Sequence, residues 1–463
     1  MRRSRVLLVI ALASVPVACG GGAQDAARLA RPNVVLITLD TLRADHLGCY
    51  GYFRDTSPRL DALADESVLF EHCTVPMATT LPSHVSMLTG TWPLEHGVLA
   101  NVAHGGQAFA ISPGLEPLSR TLSDAGYETA AFISAKPLRP KSGIGAGFDH
   151  FDDSEGPARR GDVTTTRALD WLRRREAQRA EQPFFLWLHL FDPHDPYIAP
   201  EGYVGRFEAD AELDAWLAER SFLESRTLST GLDYVPREIA DQYDDLVYFT
   251  DAQVGRLLDA LAELELRDET AIAVVTDHGE GLGQHDKLFH GLLWQEQVHA
   301  AWILHVPGLA ARRVSAPVST VDLATTLLAR VEIPGTERFL AQVSGIDVLA
   351  DGFRGRPLLS QTGLRRVGLG QDVVYALTRE RWRYHWLGEE GEALYDLEAD
   401  PYELTDVAAA HPDVVAALRG ELLDLVASQT ARGRELGAGA TQQLDQATID
   451  ALRDLGYVDA QDE

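Results

Sequence analysis

Asn33-Val-Val-Leu-Ile-Thr-Leu-Asp40 decides the fold. An apolar run closed by a carboxylate does not alternate as a half-exposed strand must. It reads as a strand buried on both faces, with Asp40 at its carboxyl end. Three further runs repeat the pattern: Ala130-Ala-Phe-Ile-Ser134, Pro183-Phe-Phe-Leu-Trp-Leu-His-Leu190 and Ala271-Ile-Ala-Val-Val-Thr-Asp277. Helical periodicity lies between them, over residues 118–125, 164–179 and 243–266. Strands alternating with helices predict an α/β protein with a doubly wound, mostly parallel sheet. Ligands of such sheets bind beyond the carboxyl ends of the strands. Asp40, His189 and Asp277 stand at or near those ends, so acids and an imidazole are expected to converge there.

The composition agrees with this reading. Of 463 residues, 45% are apolar and 24% charged, which is globular and excludes a fibrous or disordered chain. The net charge of −28 argues against nucleic acid as a partner, because phosphate backbones need a basic footprint. The pattern changes near residue 346. Val373 to Trp386 alternates, Leu394-Tyr-Asp-Leu397 reads as a short strand, and His411-Pro412 opens a helix expected to end near Ser428. The sequence therefore predicts a main domain over 32–345, a small α+β subdomain over 346–428, and a tail over 429–463 with one short helix.

The N-terminus stands apart. Arg2, Arg3 and Arg5 precede an apolar stretch from Val6 to Val17, followed by small residues, the pattern of an export signal over residues 1–18. The stretch is far shorter than the roughly 20 residues that span a bilayer. Ala18-Cys19 resembles a lipoprotein cleavage box, with Pro16 where leucine is usual, so Cys19 is the expected lipidation site. Residues 19–31 read as a tether. The expected location is the periplasmic face or cell envelope, with plain secretion as the alternative and the lipid anchor as the sole membrane contact. Cys49 and Cys73 are too few for a disulfide framework, and their pairing stays open.

Four clusters carry the chemistry. Asp40 begins Asp-Thr-Leu-Arg-Ala-Asp45 and by itself reads equally as a metal ligand or a helix cap. Thr80 begins Thr-Leu-Pro-Ser-His84, where a helix N-terminus favours an anion. His194 lies in the proline-bounded Phe191-Asp-Pro-His-Asp-Pro196. Asp277-His-Gly-Glu-Gly281, with His290 beyond it, sets two metal-type ligands side by side after a buried strand.

In chain order, Pro32 to Gly51, Leu81-Pro-Ser83, Leu88-Thr-Gly90, Thr276 to Gly281 and Leu394 to Pro401 resemble the sulfatase family of the alkaline phosphatase superfamily. The resemblance implies a sulfatase-like catalytic domain over 32–345. It implies that Asp40, Asp277 and His278 bind one divalent metal ion and that Thr80, at the nucleophile position, also touches it. His194 and His290 would hold anionic oxygens or protonate the leaving group, and Lys136 and His84 would bind substrate. Two departures redirect the chemistry. Strict sulfatases carry Cys or Ser at the Thr80 position, converted to formylglycine, and threonine cannot form that aldehyde. They also carry a second Asp at the Thr41 position and Asn at the His278 position. The exchange shifts the expected metal from calcium or magnesium toward zinc or manganese. The expectation is a metal-dependent hydrolase that cleaves small anionic phosphoesters or phosphonate esters through Thr80. A sulfuric ester hydrolase and a non-catalytic surface binding protein on the same fold are the alternatives.

Overall fold

Asn33–Leu39 (β1) is a strand with every residue buried, as its unbroken apolar run requires. A computed structural model describes residues 29–103, 107–112, 114–208, 211–222, 224–227, 233–363, 373–388, 391–439 and 441–454. The expected signal over 1–18 and Cys19 lie outside the described residues. The other strands of the main sheet are Val68–Thr74 (β2), Glu128–Ile133 (β3), His150–Asp152 (β4), Phe184–Leu190 (β5), Thr270–Thr276 (β6), His299–His305 (β7), Arg312–Val314 (β8) and Val318–Ser319 (β9). Their order is β8-β2-β7-β6-β1-β5-β3-β4, with β9 also paired to β2. β1 lies between β6 and β5 and is parallel to both. Only β7 is antiparallel to its neighbours, β6 and β2. The sheet is thus mixed and mostly parallel.

Side chains alternate between the faces of a strand, and each face has its own core. Val34 and Leu36 pack with Leu81, Val85 and Leu88 of helix Thr80–Thr89 (α1) and with Leu118 and Leu122 of Leu118–Asp124 (α2). Val35, Ile37 and Leu39 pack on the opposite side with Leu169 and Leu172 of Gly161–Ala177 (α3) and Val247 and Val254 of Pro236–Glu263 (α4). Helices on both faces leave the carboxyl edge of the sheet for Asp40, Leu190 and Asp277. The expected strands and helices around that edge are all present.

The small subdomain is an antiparallel sheet of Leu358–Gln361 (β10), Tyr375–Arg379 (β11), Trp382–Trp386 (β12) and Glu392–Asp396 (β13). Helix Pro412–Leu436 (α5) lays Val415, Leu418 and Leu422 on Leu359, Leu377, Tyr384 and Leu394. This helix runs past the expected end near Ser428 and stops at Gly437, whose φ of 76° closes it. The segment read as a tail from 429 therefore begins as helix. Beyond it, Thr441–Gln443 pairs with Gln107–Phe109 and Gln446–Asp454 forms a last helix. Leu29–Ala30, read as tether, pairs in parallel with Val331–Glu332. Cys49 and Cys73 are free thiols. Among the described residues, no helix is long and apolar enough to cross a membrane.

Candidate metal and catalytic site

β1 and β6 are neighbours in register, so Asp40 and Asp277 leave the sheet side by side. Ligand atoms of Asp40, Asp277 and His278 all lie within 4.8 Å of one another, and all three residues are buried. Asp277 Oδ1 accepts the backbone N–H groups of Thr41, at 3.1 Å, and His278, at 2.8 Å. Its Oδ2 lies 3.4 Å from His278 Nε2. Asp40 Oδ2 faces His189 Nε2 at 3.2 Å. His278 Nδ1 is 3.0 Å from Gly279 O, a carbonyl that only accepts, so Nδ1 carries the proton and Nε2 keeps its lone pair.

Thr41 is a β-branched residue at φ 54°, in the left-handed region that such residues avoid. Tyr243 of α4 holds it there, donating its hydroxyl to Thr41 O at 2.6 Å and accepting Arg43 N–H at 2.8 Å. The strained turn is what aims Thr41 N–H at Asp277.

Thr80 is the first residue of α1, after the extended Thr79. Ser83, one turn on, donates to Asp277 O at 2.7 Å and pins the helix to the end of β6. Asp40 Oδ1, Asp277 Oδ2, His278 Nε2 and Thr80 Oγ1 are among the buried atoms here that have no hydrogen-bond partner. An orphaned buried polar atom costs roughly 1–3 kcal/mol. The charges tell the same story. Burial and the neighbouring Asp40 push the Asp277 carboxyl well above the usual range. Burial also opposes ionisation of Asp40, yet the His189 hydrogen bond holds its carboxyl below that range. Burial and His290 push His278 down to about 3. Two carboxylates, a neutral imidazole and a hydroxyl, each with an unfilled lone pair, fit a divalent cation.

The remaining expected residues divide. His290 lies 4.6 Å from the His278 ring and 5.1 Å from the His194 ring, centroid to centroid. Glu280 Oε1 faces His290 Nδ1 at 3.2 Å. Burial lowers the basicity of His290, but the Glu280 charge and hydrogen bond outweigh it and raise its pKa. Burial and His290 together lower that of His194, which stacks on Phe191 and turns Nδ1 to Asp195 O at 2.6 Å. His84 is fully buried. Its Nδ1 donates to Thr80 O at 2.7 Å and lies 3.6 Å from Asp277 Oδ2, so it braces the first turn of α1. Lys136 is brought instead to Ser154 O, at 2.9 Å, and to Asp153, at 3.7 Å. The sequence does not single out Glu280 or Tyr243, whereas His189 is expected at this edge and meets Asp40 there. Glu280 lies inside the Asp277–Gly281 motif, which was a usable signal; no local signal marks Tyr243.

Residues 32–333 match the sulfatase family, and the chain belongs to that family. Family members use a metal ion. The chain is 27% identical to human iduronate 2-sulfatase over 367 residues, covering 67% of this chain and 66% of that protein's length. Among solved structures, the yidJ protein of Bacteroides fragilis superposes with a TM-score of 0.75 at 20% identity, over 90% of this chain and all of that one. The phosphonate monoester hydrolase of Agrobacterium radiobacter superposes with a TM-score of 0.67 at 21% identity, over 89% and 97% of the two chains. These two likenesses define the fold.

Proposed function

We propose that the protein is a metal-dependent hydrolase of phosphoesters or phosphonate esters, with Thr80 as the nucleophile. One observation carries the reading: Thr80 Oγ1 stands unpartnered and buried at a helix N-terminus pinned by Ser83 to the Asp277–His278 turn. Asp40, Asp277, His278 and Thr80 would hold the cation. When bound, a divalent ion neutralises substrate oxygen charge and makes the threonine hydroxyl more acidic. The chain's own residues supply the rest. The α1 N-terminus favours the anionic group that Thr80 attacks. Glu280 orients His290 through Nδ1, which leaves Nε2 to hold a non-bridging oxygen or to protonate the leaving group. His194, neutral and stacked on Phe191, lines the same side. A phospho-threonine is then opened by water at phosphorus. A sulfated threonine lacks the hydrate collapse by which formylglycine expels sulfate, which favours phosphorus over sulfur.

The test is nitrophenol release from a phosphate diester, a phosphonate monoester and a sulfate ester by the metal-loaded protein. Turnover of the phospho-substrates that disappears in Thr80→Ala is expected. Turnover of the sulfate ester alone would replace this reading with a sulfuric ester hydrolase. No turnover of any ester would favour a binding protein.

A further inference from the structure

Lys136 is satisfied by Ser154 and Asp153, but a second cation three residues along is not. Arg139 is only 2% exposed, and no ion pair compensates it among the described residues. Its Nη2 donates to Asn101 O at 3.2 Å, while Nε and Nη1 are buried without partners. The acid that most influences it electrostatically, Asp445, is at the surface and already bonded to Lys141 and Thr448. Asn101, 3% exposed, accepts the Leu81 N–H at 2.8 Å on Oδ1. That acceptor role fixes which arm of the amide is oxygen. The other arm, Nδ2, has no partner. Leu81 follows Thr80 directly, so Asn101, and Arg139 through its bond to Asn101, stand next to the first turn of α1.

A buried guanidinium without a counter-ion is costly, and the usual remedy is an anion. Burial pushes the Arg139 pKa down to about 10, so it remains charged at neutral pH. The planar fork of an arginine suits two oxygens of one oxyanion.

We propose that Arg139 and Asn101 form an anion-binding subsite beside Thr80 that takes an oxyanion of the substrate, either the scissile group itself or a second anionic group on the same molecule. This rests on the reading of Thr80 as the reacting residue. It selects substrates whose charge reaches beyond the metal ligands, and it makes Arg139 the substrate-binding cation in this turn.

The experiment is titration calorimetry of the full chain with inorganic phosphate, paired with thermal melting. Arg139→Met should weaken phosphate binding at least tenfold and leave the phosphate-free melting temperature unchanged or higher. Asn101→Asp keeps the oxygen that caps Leu81 and should weaken phosphate binding as strongly. A lower melting temperature with phosphate affinity within twofold of wild type would overturn the proposal, because Arg139 would then be structural. Two nitrophenyl phosphonate monoesters, with and without a carboxylate on the organic group, separate the sources. An equal fall in kcat/KM in Arg139→Met assigns the scissile group; a fall confined to the carboxylated ester assigns the second group; a fall in neither overturns the subsite. Phosphate binding needs no turnover, so Arg139-dependent binding that persists in Thr80→Ala supports the subsite even if no ester is cleaved.

Discussion

Glu403 and Asp277 are both buried carboxylates, and they are driven in opposite electrostatic directions. Glu403 has everything it needs. Oε1 meets His385 Nε2 at 3.0 Å and lies 3.7 Å from Arg383 Nε, while Oε2 accepts the Gln295 N–H at 2.6 Å. Burial works against its charge, but Arg383 and His385 prevail and hold its carboxyl below the usual range. Asp277 faces another carboxylate, keeps an oxygen unpartnered, and is pushed the other way. Glu403 ties the small subdomain to the segment that carries His290. Asp277, Asp40, His278 and Thr80 are arranged for something the chain does not supply. Where a fold fills its own buried polar groups it is making structure; where it leaves several unfilled around one point it is making a site.

The largest expected break in the comparison is at Thr80. Thr80→Ala should lower turnover of the preferred ester by at least about 10³-fold, as loss of a nucleophile does, and leave the melting temperature close to wild type. A matching loss of stability would put Thr80 with Glu403. The reverse signature belongs to Glu403→Ala. It strands Arg383, His385 and Gln295 N–H, and should cost about 3–5 kcal/mol in urea unfolding. The folded fraction should keep its turnover number. Chelation sharpens the contrast further. Stripping divalent metal should lower wild-type stability, and zinc or manganese at a hundred times its dissociation constant should restore about 2.7 kcal/mol. Neither step should shift Asp277→Asn.

The smallest effect is set by pH. His96 is buried, accepts Val98 N–H on Nδ1 at 3.1 Å and faces Ser86 Oγ through Nε2 at 2.9 Å. Burial pushes its pKa down to about 3 from 6.5. The unfolded chain therefore binds the proton first, and stability from this residue is complete above about pH 6.5 and declines as pH falls toward 3. By pH 5 the loss is about 2 kcal/mol. His96→Gln should flatten the stability–pH curve between pH 5 and 6.5 in denaturant titrations.

Much of this was legible in the sequence because burial on both faces writes itself as an apolar run. β1, β5 and β6 are such runs, and their ends carry Asp40, His189 and Asp277. β2 and β7 were not anticipated. Glu71 and His72 interrupt β2, and β7 starts and ends on histidines that reach solvent, so neither keeps one period. The grouping of Asp277 and His278 beside Asp40 was legible for the same local reason, since Asp277 and His278 are adjacent. The states of Tyr243, Glu280 and Arg139 were not. Whether a polar side chain is satisfied depends on partners far along the chain, as Asn101 is for Arg139 and Thr41 for Tyr243, and no window of sequence holds both.

The most direct measurement of the central claim is the metal content of the purified chain by elemental analysis, beside Asp277→Asn and His278→Ala. The account predicts one zinc or manganese ion per wild-type chain, lost in both variants while metal-free melting temperatures stay level or rise. Wild-type protein that binds no divalent metal, or variants that retain it in full, would contradict it.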